Sequence, residues 1–239
     1  MSEHIDPKTG QPVGAPVDDR PAQCPGSVTL AGRYGRVEKL SIDHTAMLWD
    51  ALKGHDHIWT YMPSYRSFPD TAAFSAWVSM RAALDDPYSY AIVDTGGRAL
   101  GILALMEIRS IHRVCEVGHV VYSPTLQRTP LGTEAQYLLA RYAFETLEYR
   151  RYGWKCDALN AASRNAALRF GFNFEGILRQ HMIAKGRNRD TAMFSMLEGE
   201  WPARRAAFER WLAPENFDTR GRQRTSLREL NGGATSAFA

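Results

Sequence analysis

A strand, a polar loop and a long helix follow one another in residues 116–136, which read EVGHVVYSPTLQRTPLGTEAQ. The apolar helical spacing that begins there continues to residue 148, and a second short strand pattern occupies residues 151–159. Two parallel strands need a long crossover connection between them, usually a helix. The order strand, helix, strand therefore predicts a parallel strand pair with this helix as its crossover.

The rest of the chain supplies further strands and helices. Apolar runs predict strands at 89–94, 99–112 and 114–123, and a closing hairpin around the polar turn KGRNR. A further helix is predicted over 160–171, where Gly171 ends it. These elements predict an α/β (α+β) fold, with a mixed, mostly antiparallel central sheet and flanking helices.

The length of 239 residues suits one globular domain with tails. Residues 1–30 are rich in Pro, Gly and Asp, which predicts a flexible or draped tail. The domain itself is predicted to span residues 31–201. Residues 202–239 are predicted to form a C-terminal helix followed by a basic tail.

Charge, hydropathy and cysteine content narrow the class of protein. The net charge is only +3, and Glu and Asp interrupt the arginine-rich segment 204–228, which disfavours nucleic-acid binding. The sequence has no run of about 18 apolar residues, so we expect no membrane span. The three cysteines form no CxxC pair, and their odd number argues against a disulfide framework. We therefore expect a cytoplasmic protein.

Two other patterns have a structural explanation that we favour. Cys115 and Cys156 lie in apolar strand patterns, where a cysteine is usually a small buried hydrophobe rather than a nucleophile. His55 and His57 flank Asp56, but the sequence identifies no third ligand group beside them. No metal site is therefore predicted.

The junction between the strand and the long helix has the features of an anion site. The first turn of a helix presents backbone N–H groups that lack helical partners, together with the positive end of the helix dipole. Such a helix end is a recurrent binding site for phosphate groups. We therefore expect a phosphate-bearing cofactor to bind within residues 116–136.

Several short motifs carry a resemblance to a known family. In chain order they are TEA at 133–135, Asn160-x-x-Ser163 eight residues before Gly171–Phe172, FEGILR at 174–179, and Asp190. Their joint order and spacing resemble the GNAT acetyltransferases of the RimJ/RimL branch, over roughly residues 30–201. The resemblance implies a GNAT-type sheet whose parallel strand pair splays apart. It also implies transfer of an acetyl group from acetyl-CoA to a primary amine, by direct attack in a ternary complex and without a metal.

The family's pyrophosphate loop has the form Q/R-x-x-G-x-G/A, and residues 127–132 read QRTPLG. Pro130 replaces the inner glycine and has no N–H to give to a phosphate, a loss that the positive charge of Arg128 could offset. Thr129 and Pro130 have the sequence of an N-cap and first helical residue. Alternatively, Thr133 and Gln136 could form a capping box. The phosphate-binding residues that the resemblance implies are Gln127, Arg128, Thr129, Leu131, Gly132 and Thr133.

Further cofactor contacts follow from the resemblance. Where the two strands splay, backbone groups of Val120, Val121 and Tyr122 are left to pair with the pantetheine amides of CoA, which would satisfy a ladder that is otherwise unpaired. Asn160 is implied as a second CoA contact. Asn165, on the same helix, is a further candidate.

The acetyl transfer needs a base and a proton donor. Glu116 is the first candidate for the base and His119 the second, since the pKa of histidine lies nearest neutrality. In a regular strand these two side chains point to opposite faces, so only one would face the acceptor unless a bulge intervenes. Many GNAT enzymes use a tyrosine to protonate the thiolate, but residues 160–171 contain none. Ser163 is implied as the hydroxyl near the sulfur, where it would relay a proton or hydrogen-bond the thiolate.

An aromatic loop at residues 59–68 lies where GNAT folds build the acceptor pocket. Its aromatic content predicts a shaped, partly apolar substrate site, with packing beneath the loop as the alternative. The substrate-binding candidates are Trp59, Tyr61, Tyr65 and Phe68. The acceptor that the resemblance implies is a protein N-terminus or a small-molecule amine, and a homodimer is compatible with it. A catalytically inactive CoA-binding sensor or interaction module is the alternative function.

Overall fold

A computed structural model of the chain describes residues 4–233. Its strands are β1 (His4–Ile5), β2 (Pro12–Val13), β3 (Thr29–Ala31), β4 (Gly35–Lys39), β5 (Tyr88–Asp94), β6 (Ala99–Arg109), β7 (Val114–Tyr122), β8 (Arg151–Asp157), β9 (Asn173–Ala184) and β10 (Arg187–Leu197). Its α-helices are α1 (Thr45–Leu52), α2 (Thr71–Ala83), α3 (Pro130–Arg141), α4 (Ala161–Arg169), α5 (Trp201–Leu212) and α6 (Leu227–Leu230).

Eight strands form one sheet in the order β3-β4-β5-β6-β7-β8-β10-β9. Neighbouring strands are antiparallel except for β7 and β8, which are parallel and are connected through α3. The predicted fold class, with its single parallel pair and flanking helices, is confirmed. The parallel register runs from Val114–Arg151 to Val117–Trp154 and stops there, although both strands continue.

Each face of the sheet is covered by helices because the strand residues that alternate across it are apolar on both sides. On one face, Leu103 and Leu105 of β6 pack in a core with residues of α3 and α5. On the other face, Ile102 packs with Leu48 of α1 and Trp77 of α2. The second face, which α1 and α2 cover only in part, carries the site described below.

The crossover helix is shorter than its apolar spacing predicts. The prediction places a helix over 131–148, whereas α3 ends at Arg141 and a π-helical turn, Tyr142–Thr146, follows. Glu148 then adopts a left-handed backbone conformation with φ of 62°. The wider turn and the reversal bring the chain to the start of β8.

The segments on either side of the predicted domain pack onto it. The Ala22 amide donates to the Ser110 carbonyl at 3.0 Å, and β3 forms the edge of the sheet beside β4. At the other end, the ring of Phe208 of α5 packs against the ring of Tyr137 of α3 in a tilted arrangement. The boundaries at residues 31 and 201 stay a prediction. Within residues 4–233, no helix is long and apolar enough to cross a membrane.

Candidate active site

The parallel strands part directly after the Val117–Trp154 pair. Beyond that pair β7 stays with β6 only, and a β-bulge sets His119 and Val120 of β7 opposite a single residue of β6. His119 takes a left-handed conformation there, with φ of 48°. A bulge increases the local twist and bends its strand, which carries the end of β7 away from β8. The predicted backbone sites at Val120, Val121 and Tyr122 lie along this parted section.

The helix α3 begins beside the end of β7, as the sequence predicts. Thr129 is its N-cap: its Oγ1 accepts from the Gly132 amide at 3.1 Å and donates to the Leu126 carbonyl at 2.7 Å. Pro130 is the first helical residue, so the alternative cap at Thr133 is wrong. Arg128 precedes the cap in a left-handed conformation and its side chain is exposed to solvent.

Hydrogen bonds hold the loop between β7 and α3 in one shape. Tyr122 Oη donates to the Gly132 carbonyl at 2.8 Å and accepts from Gln136 Nε2 at 3.0 Å. Gln127 Nε2 donates to the Tyr122 carbonyl at 3.0 Å. A Cβ atom at Gly132 would lie 2.8 Å from the Leu126 carbonyl oxygen, so the loop and helix approach one another at a distance that only glycine allows. A fixed helix end is thus held next to the parted strands.

Glu116 lies on the face of the sheet that α1 and α2 cover. It pairs with Gly153, one pair before the parallel strands part. Its side chain is buried and passes over Gly153 of β8, where a Cβ atom would lie 2.7 Å from Glu116 Cγ. Lys155 Nζ lies 3.3 Å from Glu116 Oε2 and donates to Glu107 Oε1 at 3.0 Å. Burial raises the pKa of the Glu116 carboxyl, and the ammonium of Lys155 opposes that rise.

His119 lies on the same face as Glu116 because the bulge shifts the alternation of β7. The ring of His119 is 6.3 Å from the ring of Tyr65, which packs on Trp77 of α2. The two side chains would point to opposite faces of a regular strand, and the bulge is the exception that brings them to the same face. Burial, followed by the positive charges of Arg81 and Lys155, lowers the pKa of His119 to about 4. The imidazole is consequently neutral at pH 7.

The helix α4 places its first turn beside the point of divergence. Asn160 is the N-cap, and its Oδ1 accepts from the Ser163 amide at 3.1 Å. Ser163 Oγ accepts from the indole nitrogen of Trp154 at 3.0 Å, which ties the serine to the last residue of β8 that pairs with β7. The Ser163 hydroxyl also hydrogen-bonds the Cys156 side chain, a contact that opposes the rise of the Cys156 pKa by burial. Asn165 is exposed further along the helix.

In the aromatic loop of residues 59–68, two side chains pack in the core and two others reach toward the site. Trp59 and Phe68 belong to a ring cluster with Trp77, which supports the packing explanation for these two residues. Tyr65 reaches His119, and Tyr61 is exposed and donates to the Leu159 carbonyl beyond β8 at 3.3 Å. The loop therefore spans from α2 to the start of α4.

The closing hairpin meets the same loop. Lys185, in the turn between β9 and β10, donates to the Trp59 carbonyl at 2.6 Å and to the Thr60 carbonyl at 3.3 Å. Burial lowers the pKa of Lys185, and the charge of Arg66 adds to this effect. The loop is thus held to the closing hairpin by Lys185 and to the segment before α4 by the bond from Tyr61 to Leu159.

Sequence reasoning missed three charged residues of this site. Lys155 is the charge in the interior of the strand RYGWKCD, whose ends are Arg151 and Asp157, and Arg81 is a cation on the buried face of α2. Arg81 is only 1 % exposed and donates to Ser89 Oγ at 2.9 Å. Glu107 lies in a second bulge, with φ of 49°, where the Asp86 carboxylate accepts from its amide. A charge inside an apolar pattern is the signal that could have found the first two.

The described residues offer neither a metal site nor an activated thiol. In residues 4–233, no group of three or more His, Cys, Asp or Glu side chains is arranged to hold a metal ion. Cys115 and Cys156 are free and buried, and burial raises the pKa of both thiols. Both therefore have the character of packed residues and not of activated nucleophiles.

Residues 36–173 match the sequence model of the acetyltransferase (GNAT) domain. The chain belongs to the GNAT acetyltransferase family, as the motifs predict. Its fold is similar to that of a GCN5-related N-acetyltransferase from Brucella melitensis, with a TM-score of 0.87 and 42% identity over 89% of this chain and 98% of that one.

Two curated relatives are similar over shorter stretches. The uncharacterized N-acetyltransferase YoaA of Bacillus subtilis is 29% identical over 99 residues, which are 41% of this chain and 55% of the relative. The spermidine N(1)-acetyltransferase of Escherichia coli K12 is 26% identical over 112 residues, 47% of this chain and 60% of the relative. The matched region thus spans little more than half of the curated relatives.

The Lys155 ammonium is expected to set the acidic limb of the pH profile of kcat/KM. In Lys155→Met the attraction that favours the Glu116 carboxylate is lost, so the pKa of Glu116 rises and the limb moves to higher pH. Glu107 and Arg109 also act on this carboxyl, and both remain in the variant. Lys53→Met, at an exposed lysine paired with Asp50, is the matched control. An unshifted limb in Lys155→Met would mean that Glu116 does not control it.

His119 is expected to make the fold sensitive to acid. Its pKa is about 4 when folded against an ordinary 6.5, so the unfolded chain binds the extra proton and stability falls as pH drops from 6.5 toward 4. The loss at pH 5 is about 2 kcal/mol for this shift. Chemical unfolding of His119→Gln at pH 7 and pH 5 should show a smaller difference than the wild type. An equal difference would contradict the assignment.

Proposed function

We propose that this chain transfers an acetyl group from acetyl-CoA to a primary amine, by direct attack of the amine within a ternary complex. The single observation that carries the proposal is the parting of β7 and β8 after the Val117–Trp154 pair, beside the fixed amino end of α3. Both features belong to a chain whose residues 36–173 match the GNAT domain.

The residues present fit a long phosphorylated thiol carrier. The unpaired side of Val120–Tyr122 can pair with amides of an extended ligand. The amino end of α3 favours the negative charge of a phosphate. Pro130 donates no N–H and the Gly132 amide is bound by Thr129, so side chains, among them Arg128, must supply part of the phosphate contacts. Acetyl-CoA would supply the activated acetyl group.

We assign the base to Glu116. A carboxyl whose pKa is raised by burial is a stronger base once ionised, and the neighbouring Lys155 favours the ionised form. In this assignment Glu116 accepts a proton from the acceptor ammonium, directly or through a water molecule. His119, with its pKa lowered to about 4, holds its proton too weakly to be the preferred base near pH 7, so it is the second choice.

Ser163 is assigned to the departing thiolate. Its hydroxyl accepts from Trp154 and hydrogen-bonds the Cys156 thiol, so in this assignment it turns from that thiol to the sulfur of the cofactor. A serine is a poor acid, so its role is a hydrogen bond to the thiolate, and the thiolate takes its proton from solvent water. Asn160, whose side chain caps α4, holds Ser163 in this position.

The acceptor is proposed to enter beneath the loop of residues 59–68, over Tyr65 and His119. A protein N-terminus follows from the branch resemblance, and a small polyamine follows from the spermidine-acetylating relative. Both are primary amines that carry positive charge in water. The carboxylates of Glu107 and Glu116 lie on the side of the cleft that would receive them.

The test is release of free thiol from acetyl-CoA in the presence of a panel of amines. The panel contains spermidine, spermine, single amino acids and short peptides with free N-termini. We expect thiol release that depends on the amine and saturates in both substrates. Tight CoA binding without turnover on any amine would instead identify a CoA-binding module, and the absence of CoA binding would contradict the proposal as a whole.

A further inference from the structure

A buried guanidinium without a counter-charge lies beside the cleft that contains Glu116 and His119. Arg81 of α2 is 1 % exposed, and its Nη2 donates to Ser89 Oγ of β5 at 2.9 Å. The guanidinium also hydrogen-bonds the phenol of Tyr65, in the loop of residues 59–68. Both partners are uncharged groups, and within residues 4–233 no carboxylate lies within 4.0 Å of Arg81. Its positive charge is therefore not balanced.

An unbalanced charge at this depth destabilises the protein. Burial lowers the pKa of Arg81, because the charged form loses hydration. Buried charges in proteins are normally paired, since the attraction of an opposite charge offsets that loss. Arg36 and Arg151 are more exposed, with 38 % and 31 % of their side chains accessible, and each pairs with a glutamate. Arg81 needs such a partner more than they do, so a negative group of a ligand would be stabilised beside it.

Other unpartnered polar atoms surround the same tyrosine. The ring centroid of Tyr65 is 5.5 Å from that of Trp77 and 6.3 Å from that of His119. Trp77 Nε1, Arg81 Nε and His119 Nδ1 are buried, and none has a hydrogen-bond partner in the part of the chain that the structure describes. Trp77 and Arg81 are four residues apart on α2, so they lie on the same side of the helix. Because buried polar atoms are rarely left unpaired, three of them around one side chain indicate a place for oxygen atoms of a ligand.

The cleft also holds a carboxylate that can receive an amine. Glu116 Oε2 lies 3.3 Å from Lys155 Nζ of β8. After the effect of burial, the positive charges of Arg81 and Lys155 both lower the pKa of His119, so its imidazole is within electrostatic reach of both cations. A ligand that covers His119 therefore reaches the Glu116 carboxylate and the Arg81 guanidinium. A molecule with one positive and one negative group complements this pair of charges.

We propose that Arg81 binds a carboxylate of the acceptor, and that the acceptor is an amino acid whose α-amine faces Glu116. The inference rests on the proposed function, because the amine is the acetyl acceptor there, and it narrows the acceptor class. In the complex the carboxylate takes the place of the Tyr65 phenol beside the guanidinium. The rings of Trp59 and Phe68 make the surroundings apolar, which favours an amino acid with an apolar side chain. The transfer is unchanged: the amine nitrogen bonds the acetyl carbon, the C–S bond breaks, and the proton of the amine goes to Glu116.

The experiment compares L-leucine with L-leucinamide as acceptors, by release of thiol from acetyl-CoA. The amide has the more easily deprotonated amine, because no negative charge lies near it, so amine basicity alone would favour the amide. We expect kcat/KM of the wild type to be about tenfold or more higher for leucine, since the amide leaves the charge of Arg81 unbalanced. Equal values, or a higher value for leucinamide, spermidine or a peptide N-terminus, would overturn the inference.

Arg81→Met separates recognition of the carboxylate from a merely structural role. We expect KM for leucine to rise about tenfold or more, the change that follows from losing one charged hydrogen bond, and KM for leucinamide to stay within about twofold. An equal rise for both acceptors would assign Arg81 to the fold alone and overturn the inference. Arg98→Met, at an exposed arginine between β5 and β6 that pairs with Asp94, is the matched control and should change neither KM.

Two further measurements keep the result decisive. If Arg81→Met fails to fold, the comparison of leucine with leucinamide on the wild type decides by itself. A wild type that releases no thiol with any amine would contradict the proposed function. Calorimetry of both acceptors with the wild type in the presence of CoA would then still test the contact to Arg81, and equal affinities for leucine and leucinamide would overturn it.

Discussion

Replacement of Glu116 by glutamine is expected to lower kcat about 10²- to 10⁴-fold, the usual contribution of a positioned general base. Glutamine keeps the volume of the side chain but cannot accept the proton of the attacking ammonium. Affinity for CoA should stay within about twofold, because the proposed cofactor contacts are made by the backbone of β7 and by α3. Steady-state thiol release and calorimetry measure the two quantities separately.

The matched control for this variant is Glu198→Gln, at an exposed carboxylate between β10 and α5. It changes the net charge equally and should keep the wild-type kcat. Full turnover by Glu116→Gln across the pH range would exclude Glu116 as the base. A parallel loss of CoA affinity would point to a disturbed fold, and unfolding curves of the variant would reveal that.

Substitution of Gly153 by alanine is expected to lower kcat about a hundredfold without removing any reactive group, since a misplacement of about 1 Å can cost that much. The new Cβ would lie 2.7 Å from Cγ of Glu116 and 3.5 Å from its Cδ. The atom that the new Cβ would crowd is Cγ of Glu116, which lies between its backbone and its carboxylate. To relieve this contact, the carboxylate has to turn away or strands β7 and β8 have to separate. Measurement of kcat with saturating acetyl-CoA tests this expectation.

Gly199→Ala serves as the control for this second variant, because a Cβ atom at Gly199 would meet no atom within 4 Å. The Gly153→Ala protein is also expected to lose about 1–3 kcal/mol of stability, the typical cost of overpacking. A Gly153→Ala protein with the wild-type kcat would show that the position of Glu116 does not limit the reaction. The comparison thus separates the placement of the carboxylate from its presence.

Local chemistry explains why the main elements of the fold could be predicted. Thr129–Pro130 is a cap and first-turn pair, and the cap forms as predicted. The order of the strands around α3 requires a parallel pair, and β7 and β8 form it. Gly171 ends α4 with φ of 91°, which few residues other than glycine adopt readily. Each of these features depends on residues that are near one another in sequence.

The features that could not be predicted depend on tertiary contacts. The bulge at His119 breaks the two-residue period of β7, and Gly118, directly before it, is a local signal that the sequence analysis did not use. The contact between Lys155 and Glu116 joins two strands whose register is fixed only by packing. The contact between the rings of Tyr65 and His119 likewise depends on how the loop of residues 59–68 packs over β7. The functional roles of all predicted site residues stay predictions until the variants are measured.

The short parallel ladder between β7 and β8 divides the sheet into two parts. One part contains β3, β4, β5, β6 and β7, and the other contains β8, β10 and β9. Only four residue pairs join these two parts, whereas β10 and β9 pair along most of their length. An extended ligand that pairs with β7 would continue this ladder of hydrogen bonds beyond Val117 and so make the two parts of the sheet more rigid around Glu116. The same backbone atoms would then contribute to the stability of the domain and to binding of the acetyl donor. The free energy of unfolding should therefore rise with the concentration of the bound ligand.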